Sequence, residues 1–172
     1  LVTGANGQLG RELMRALPEA GFTVTGVDLP EVSISNAEQV AALPWDDIDV
    51  VINAAAWTNV DGAETPEGRR ATWQANSTGP AILAREATAH GATMVHISTE
   101  YVFDGTQDVH LEDEAPSPLG AYGQSKAGGD AAVASTPKHY IVRTSWVVGD
   151  GKNFLKTMVS LADQGTSPSV VS

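Results

Sequence analysis

The chain has 172 residues, with 10 Lys and Arg against 21 Asp and Glu, a formal net charge of −11 and no cysteine. Its length fits one domain, and its 42% hydrophobic content is ordinary for a chain that buries a core. The charge argues against a general nucleic-acid binder and against adhesion to anionic membranes. No apolar run nears the roughly 20 residues that cross a bilayer. Without cysteine there are no disulfides, thiolate nucleophiles or Cys-ligated zinc.

Leu1 to Thr3 reads as the apolar end of a strand, with its beginning expected before Leu1. Residues 8–17 place Leu9, Leu13, Ala16 and Leu17 at helical spacing, with Pro18 and Gly21 closing the helix. Thr23 to Val27 reads as a strand leading to Asp28. Asn36 is placed to cap a short helix that carries Val40 and Leu43 and ends at Pro44. Asp49 to Asn53 is a short continuous apolar run, the mark of a strand buried on both faces. One long helix is expected over 67–90, with Ala75, Ile82, Leu83 and Ala87 inward and Gly91 as its stop. Thr93 to Ser98 is another strand, and 104–120 is a loop longer than most connections. Helix, strand and helix follow over 121–135, 139–147 and 153–163. Residues 168–172 start a strand-like run that stops short, so both ends look cut. The alternation predicts an α/β fold: a doubly wound parallel sheet of Rossmann type.

Two groups of residues carry chemistry. Gly4, Gly7 and Gly10 join the first strand to the first helix with GxxGxxG spacing. Such glycines permit a tight turn, close approach of backbone to a pyrophosphate, and close helix–strand packing. The free N–H groups of the helix start favour phosphate. Asp28 follows about 18 residues after Gly10, where an acid meets the ribose hydroxyls of a dinucleotide. A carboxylate there tilts the choice toward NADH without excluding NADPH. The second group is Tyr122 and Lys126, at i and i+4 on one helix face. An ammonium beside a phenol is expected to lower the phenol's pKa, making Tyr122 a general acid for a carbonyl oxygen that receives a hydride.

The motifs TGANGQLG at 3–10, NAAAWTNVDGAE at 53–64, HISTEYVFDG at 96–105, PLGAYGQSKAGGD at 118–130 and RTSWVVGDGKNFLKTM at 143–158 come in order. Together they resemble the dTDP-4-dehydrorhamnose reductase family, within the extended short-chain dehydrogenases/reductases. That resemblance implies reduction of the C4 keto group of a nucleotide-linked 4-keto-6-deoxysugar by NADPH or NADH. It implies Thr99, Tyr122 and Lys126 as the catalytic set. Cofactor contacts would come from Gly7, Gln8 and Leu9 at the phosphates and Asp28 at the adenosine ribose. Ser33 and Ile34 would lie near the adenine. Ala54, Ala55, Ala56 and Thr58 would line the middle, with Ile97, Tyr122 and Lys126 at the nicotinamide half. Thr99, Glu100, Tyr101, Trp146 and Asn153 would shape the substrate pocket, and Lys152 and Asn153 could reach a nucleotide phosphate or only cap the next helix. Trp146 could equally be a core residue.

The sequence departs from the family at Glu100 and Ser33, where Asp is common, and at Val148, where Tyr is frequent. A sugar-nucleotide epimerase or dehydratase shares the loop and the Tyr/Lys pair, but a dehydratase usually has consecutive acids where Glu100 is followed by Tyr101. A non-catalytic reductase-like subunit is the other alternative. The resemblance makes 1–172 the NAD(P)-binding domain, with most of the C-terminal substrate lobe outside it. The expected partner is a nucleotide-sugar, with a homodimer left open, and the expected setting is cytoplasmic. The four histidines lack metal-ligand spacing. Some relatives bind Mg²⁺ through scattered carboxylates, to which Glu12 could contribute.

Overall fold

In the computed structural model, residues 1–151 and 153–167 are described. Strand β1 (Val2–Thr3) turns through Gly4 into α1 (Gln8–Glu19). Gly4 has φ 69°, a left-handed conformation that glycine adopts without strain. Strand β2 (Gly26–Val27) and α2 (Ala37–Ala41) follow. Asn36 caps α2, its Oδ1 accepting from the N–H groups of Glu38 and Gln39 at 3.0 and 3.1 Å. Strand β3 (Val50–Asn53) leads to α3 (Pro66–Trp73), a π-helical turn (Gln74–Thr78) and α4 (Gly79–Ala89). Strand β4 (Thr93–Thr99) runs into a short 3₁₀ turn (Glu100–Val102). Then come α5 (Ala121–Ala134), β5 (His139–Thr144) and α6 (Phe154–Asp163).

All strand pairs are parallel, in the order β2-β1-β3-β4-β5. This is the Rossmann-type α/β sheet that the alternation predicts. The chain's direction of travel across the sheet reverses between β1 and β3. Ligands of such sheets bind at that switch point, beyond the carboxyl ends of the strands. A parallel sheet needs its faces covered, which is why its strands are apolar. Val51, Met94, Leu83, Val40 and Val133 are fully buried, where β3 and β4 meet α2, α4 and α5.

Four boundaries differ from the periodicity reading. The helix expected over 67–90 contains the π turn, whose extra residue rotates the buried face. Asn76 is therefore inward, while Ala75 is only half-buried. Helix α1 continues through Pro18 to Glu19. Proline in a last turn deprives only one upstream carbonyl of its partner, and the Ala20 N–H still reaches Ala16 and Leu17. The strand expected over 23–27 shrinks to Gly26–Val27, because only Val2 and Thr3 pair with it. The strand expected over 139–147 stops at Thr144, where its pairing with Thr99 ends. The run at 168–172 lies outside the described residues.

Leu83 has no exposed surface and sits in the central cluster. Leu83→Ala should destabilise the fold by about 2–5 kcal/mol, read from the midpoint of urea unfolding.

Candidate active site

Two adjoining hollows run along the carboxyl ends of the strands, of about 550 and 200 Å³, and both are lined by Gly7, Ala54 and Ala56. Gly4, Asp28, Ser33, Ile34 and Ala55 line the smaller one. The Asp28 carboxylate accepts from the N–H groups of Asn6 and Leu29, each at 2.8 Å, so it also organises the glycine turn. Ser33 is held by its N–H to Gln39 Oε1 at 2.8 Å, and its hydroxyl lies 3.2 Å from that of Ser35. Ile34 is mostly buried in the core cluster and shows only an edge to the hollow. Gly10 lines neither hollow. A Cβ on it would strike the Gly4 carbonyl, so its role is to let α1 pack against the turn.

Gln8, Leu9, Thr58 and Ile97 line the larger hollow, together with Thr99, Glu100, Tyr101, Tyr122, Lys126, Trp146 and Asn153. Thr99 ends β4, while Tyr122 and Lys126 lie on successive turns of α5. Helix α5 is brought close by Gly123, where a Cβ would strike the Tyr101 carbonyl. Its first N–H, from Ala121, is capped by Glu64 Oε1 at 2.7 Å, across 57 positions of sequence. Asn76 pins the opposite wall. Its Oδ1 accepts from the Trp57 N–H at 2.8 Å, and its Nδ2 donates to the Trp57 carbonyl and the Ser125 hydroxyl, both at 3.1 Å.

Glu100 bridges two strand ends. Its carboxylate accepts from the Thr99 hydroxyl at 3.2 Å and from the Ser145 hydroxyl at 2.8 Å. Tyr101 meets Tyr122 edge-on, with ring centres 5.8 Å apart. Trp146 is 60% exposed and leans on Phe154 at the rim, so it is not a core tryptophan. Asn153 caps α6 through the Lys156 N–H at 3.0 Å and donates to the Gly149 carbonyl at 2.8 Å. Gln8 donates to the Val147 carbonyl at 2.8 Å. Lys152 lies outside the described residues. Sequence reasoning missed Ser145, Phe154 and Val147, which line the same hollow. Ser145 follows the strand end and carries no local signal; only the pairing of β5 with β4 brings it to Glu100.

The expectation for Tyr122 needs correcting. Burial, then the Glu100 carboxylate, push its pKa above the ordinary phenol value, with the Thr99 hydroxyl opposing. Lys126 does not lower it. The Lys126 ammonium donates to the Ile97 carbonyl at 2.6 Å and lies 3.5 Å from His96 Nε2. Glu12 is paired with Arg15 at 3.0 Å, and no group of three or more metal-ligating side chains is found among the described residues.

The family model described as RmlD substrate binding domain matches residues 1–172. The chain belongs to this RmlD family. The similarity to dTDP-4-dehydrorhamnose reductases read from the motifs is borne out. One such reductase, from Aggregatibacter actinomycetemcomitans, is 41% identical over 171 residues, covering 94% of this chain and 56% of that protein. The crystal structure of a dTDP-4-dehydrorhamnose reductase from Clostridium acetobutylicum superposes with a TM-score of 0.88 at 42% identity, covering 95% of this chain and 59% of that one. One from Bacillus anthracis, solved in complex with NADP, gives 0.88 at 36% identity with the same coverages. The chain thus spans a little over half the length of these relatives.

Behind Thr99, Tyr122 and Lys126, this RmlD family member carries a buried polar row. Thr3, Asn53 and His96 occupy paired positions on β1, β3 and β4. The Thr3 hydroxyl donates to Asn53 Oδ1 at 2.7 Å, and the Ala55 N–H donates to the same oxygen at 3.2 Å. The Asn53 amide nitrogen is therefore the group facing His96 Nδ1, at 3.0 Å. That requires Nδ1 to accept, which puts the imidazole proton on Nε2. Burial first, and then the Lys126 charge, pull the His96 pKa down to about 3.

An unfolded chain binds a proton on His96 below its ordinary value of 6.5, whereas the native imidazole refuses it until about 3. Stability should therefore fall as pH drops through that window, by up to about 1.4 kcal/mol per pH unit from this group. Urea midpoints at pH 7 and pH 5 should differ less for His96→Asn than for the wild type; equal differences would remove His96 as the cause.

Proposed function

We propose that the protein containing this chain reduces the C4 keto group of a nucleotide-linked 4-keto-6-deoxysugar with NADPH or NADH. The substrate we infer is dTDP-4-dehydro-L-rhamnose, and the product dTDP-L-rhamnose. The observation that carries this reading is geometric: Thr99, Tyr122 and Lys126 line one hollow that adjoins the hollow of the glycine turn and Asp28. A reductase needs its acid protonated when the substrate arrives.

The residues present fit a dinucleotide. The helix start at Gly7, Gln8 and Leu9 suits the phosphates, and Asp28 suits the adenosine ribose at one end of the paired hollows. Ser33 and Ile34 flank the adenine end, small Ala54, Ala55 and Ala56 with Thr58 the middle, and Ile97, Tyr122 and Lys126 the other end. When bound, the nicotinamide supplies the hydride to C4. Tyr122 gives its proton to the carbonyl oxygen, completing the alcohol. Thr99 orients that oxygen through its hydroxyl. Lys126 holds the cofactor ribose. Glu100, Tyr101, Trp146 and Asn153 bound the space left for the sugar nucleotide. The relative from Bacillus anthracis carries NADP, which supports the phosphorylated cofactor, while Asp28 favours the unphosphorylated one.

We also propose that 1–172 is the cofactor-binding part and that the substrate lobe lies in the sequence that follows, since the curated relatives are longer. The expected setting is the cytoplasm; no helix among the described residues is long and apolar enough to cross a membrane.

The full-length protein should oxidise NADPH or NADH when given dTDP-4-dehydro-L-rhamnose. No oxidation with either cofactor would reject the substrate. Tyr122→Phe should lower kcat by about 10²- to 10⁴-fold. Near-normal turnover in that variant would remove Tyr122 as the acid.

A further inference from the structure

Lys126 and Asp130 lie one turn apart on α5 and are only 2% and 4% exposed. The carbonyl of Ile97 is the one acceptor that the Lys126 ammonium meets at short range among the described residues. His96 does not serve as a second. Its Nε2 carries the proton fixed by Asn53, so the 3.5 Å approach of Lys126 sets donor against donor. That same Nε2 faces Asp130 Oδ1 at 3.6 Å. Arg143 Nε faces Asp130 Oδ2 at 3.4 Å from β5. Neither contact completes a hydrogen bond, and both carboxylate oxygens are buried without one among the described residues. The Arg143 guanidinium is also engaged elsewhere: it donates to the Glu112 carbonyl at 3.2 Å and lies 5.2 Å above the Phe103 ring. The carboxylate therefore sits among three donors, His96 Nε2, Arg143 Nε and the Ser98 hydroxyl, its charge only partly compensated, one turn from a buried ammonium.

We propose that Asp130 is a positioning residue that supplies the buried counter-charge for the Lys126 ammonium, with His96 and Arg143 flanking the carboxylate. The titratable groups that act on or lie against Lys126 are Asp130 on its own helix and His96 on β4; Tyr122 stands one turn before it on α5. Burial raises the Asp130 pKa, opposed by the Ser98 hydroxyl, Lys126 and Arg143, and Glu100 acts on Tyr122. Burial lowers the Lys126 pKa to about 8, and Asp130 opposes that fall. Without Asp130, Lys126 would lose its proton within the working range of a neutral-pH enzyme. This inference rests on the reading above only in taking Lys126 as the residue that holds the cofactor.

The test is a pH titration of the full-length protein carrying lysine labelled with ¹³C at the ε position, the Lys126 signal being identified by its loss in Lys126→Arg. The wild-type midpoint should lie near 8. In Asp130→Asn it should fall by about one to three units, the usual effect of losing a neighbouring opposite charge. Asp130→Glu should return it toward the wild-type value. The high-pH limb of kcat/KM should move with the same midpoint. An unmoved Lys126 midpoint in folded Asp130→Asn overturns the proposal. A second arm needs no variant: in wild-type protein the Asp130 side-chain carbon should shift at the Lys126 midpoint, and a flat trace there overturns the proposal even if Asp130→Asn does not fold. The titrations do not depend on the substrate. Coupled titration without turnover would reject the reductase reading alone, and turnover with uncoupled titration would reject the positioning role alone.

Discussion

Burying an ammonium against the end of a parallel sheet is costly unless polar groups meet it, and much of this molecule's C-terminal half is arranged around the one at Lys126. Strand β4 offers the Ile97 carbonyl, and its inward positions turn from apolar Met94 to polar His96 and Ser98 as the strand nears its end. Neighbouring strands follow the same change of character. Thr3 and Asn53 stand in register with His96, and the row is joined side chain to side chain. The cost of placing these groups in the interior is reduced because the Thr3 hydroxyl and the Asn53 amide each have an acceptor in the row. The same row touches the cofactor hollow, since Asn53 also holds the Ala55 N–H.

A second constraint is the approach of α5. Tyr122 and Lys126 reach the larger hollow only because that helix lies against the 3₁₀ turn after β4. Gly123 removes the side chain that would obstruct the contact. Glu64, far away in sequence, satisfies the first free N–H of the helix. The π turn before α4 swings Asn76 inward, where it ties both the Trp57 backbone and Ser125. A π turn is uncommon and tends to occur where a site needs one side chain re-aimed; here that side chain is Asn76. Packing, capping and one backbone irregularity thus converge on the same helix.

The electrostatics of the hollow divide into two halves. Around Tyr122, burial and the Glu100 carboxylate favour the neutral phenol. Around Lys126, burial lowers the pKa to about 8, opposed by the Asp130 carboxylate, while the Ile97 carbonyl accepts from the ammonium. Tyr122 and Lys126 thus sit one turn apart on α5 with opposite balances: burial and a carboxylate both act against ionising the phenol, whereas at the amine burial acts against the charge and a carboxylate for it. Glu100 also joins Thr99 to Ser145, so the longer acid that distinguishes this chain from the motif's usual Asp is built into the framework of the pocket.

The strand–helix alternation, the glycine turn and the Tyr122/Lys126 spacing were all legible in the sequence, because each depends on residues within a few positions of one another, and Asp28 was legible from its fixed offset at the end of the next strand. Periodicity shows a buried strand, glycine shows a turn, and i,i+4 spacing shows a shared helix face. What the sequence could not show was which way a charge would act. Tyr122 and Lys126 share a face, yet the phenol is pushed up by Glu100 and burial, and the ammonium is directed to Ile97. Nor did local pattern reveal Ser145, the inward turn of Asn76, the cap from Glu64 or the Thr3–Asn53–His96 row. Those depend on the order in which parallel strands pair and on how closely one helix packs against them, so residues tens of positions apart become neighbours. Sequence by itself therefore determined the elements and the chemical groups available, through short-range geometry. Only the tertiary structure decided their partners and protonation states, because burial and hydrogen bonding are set by what folds against them.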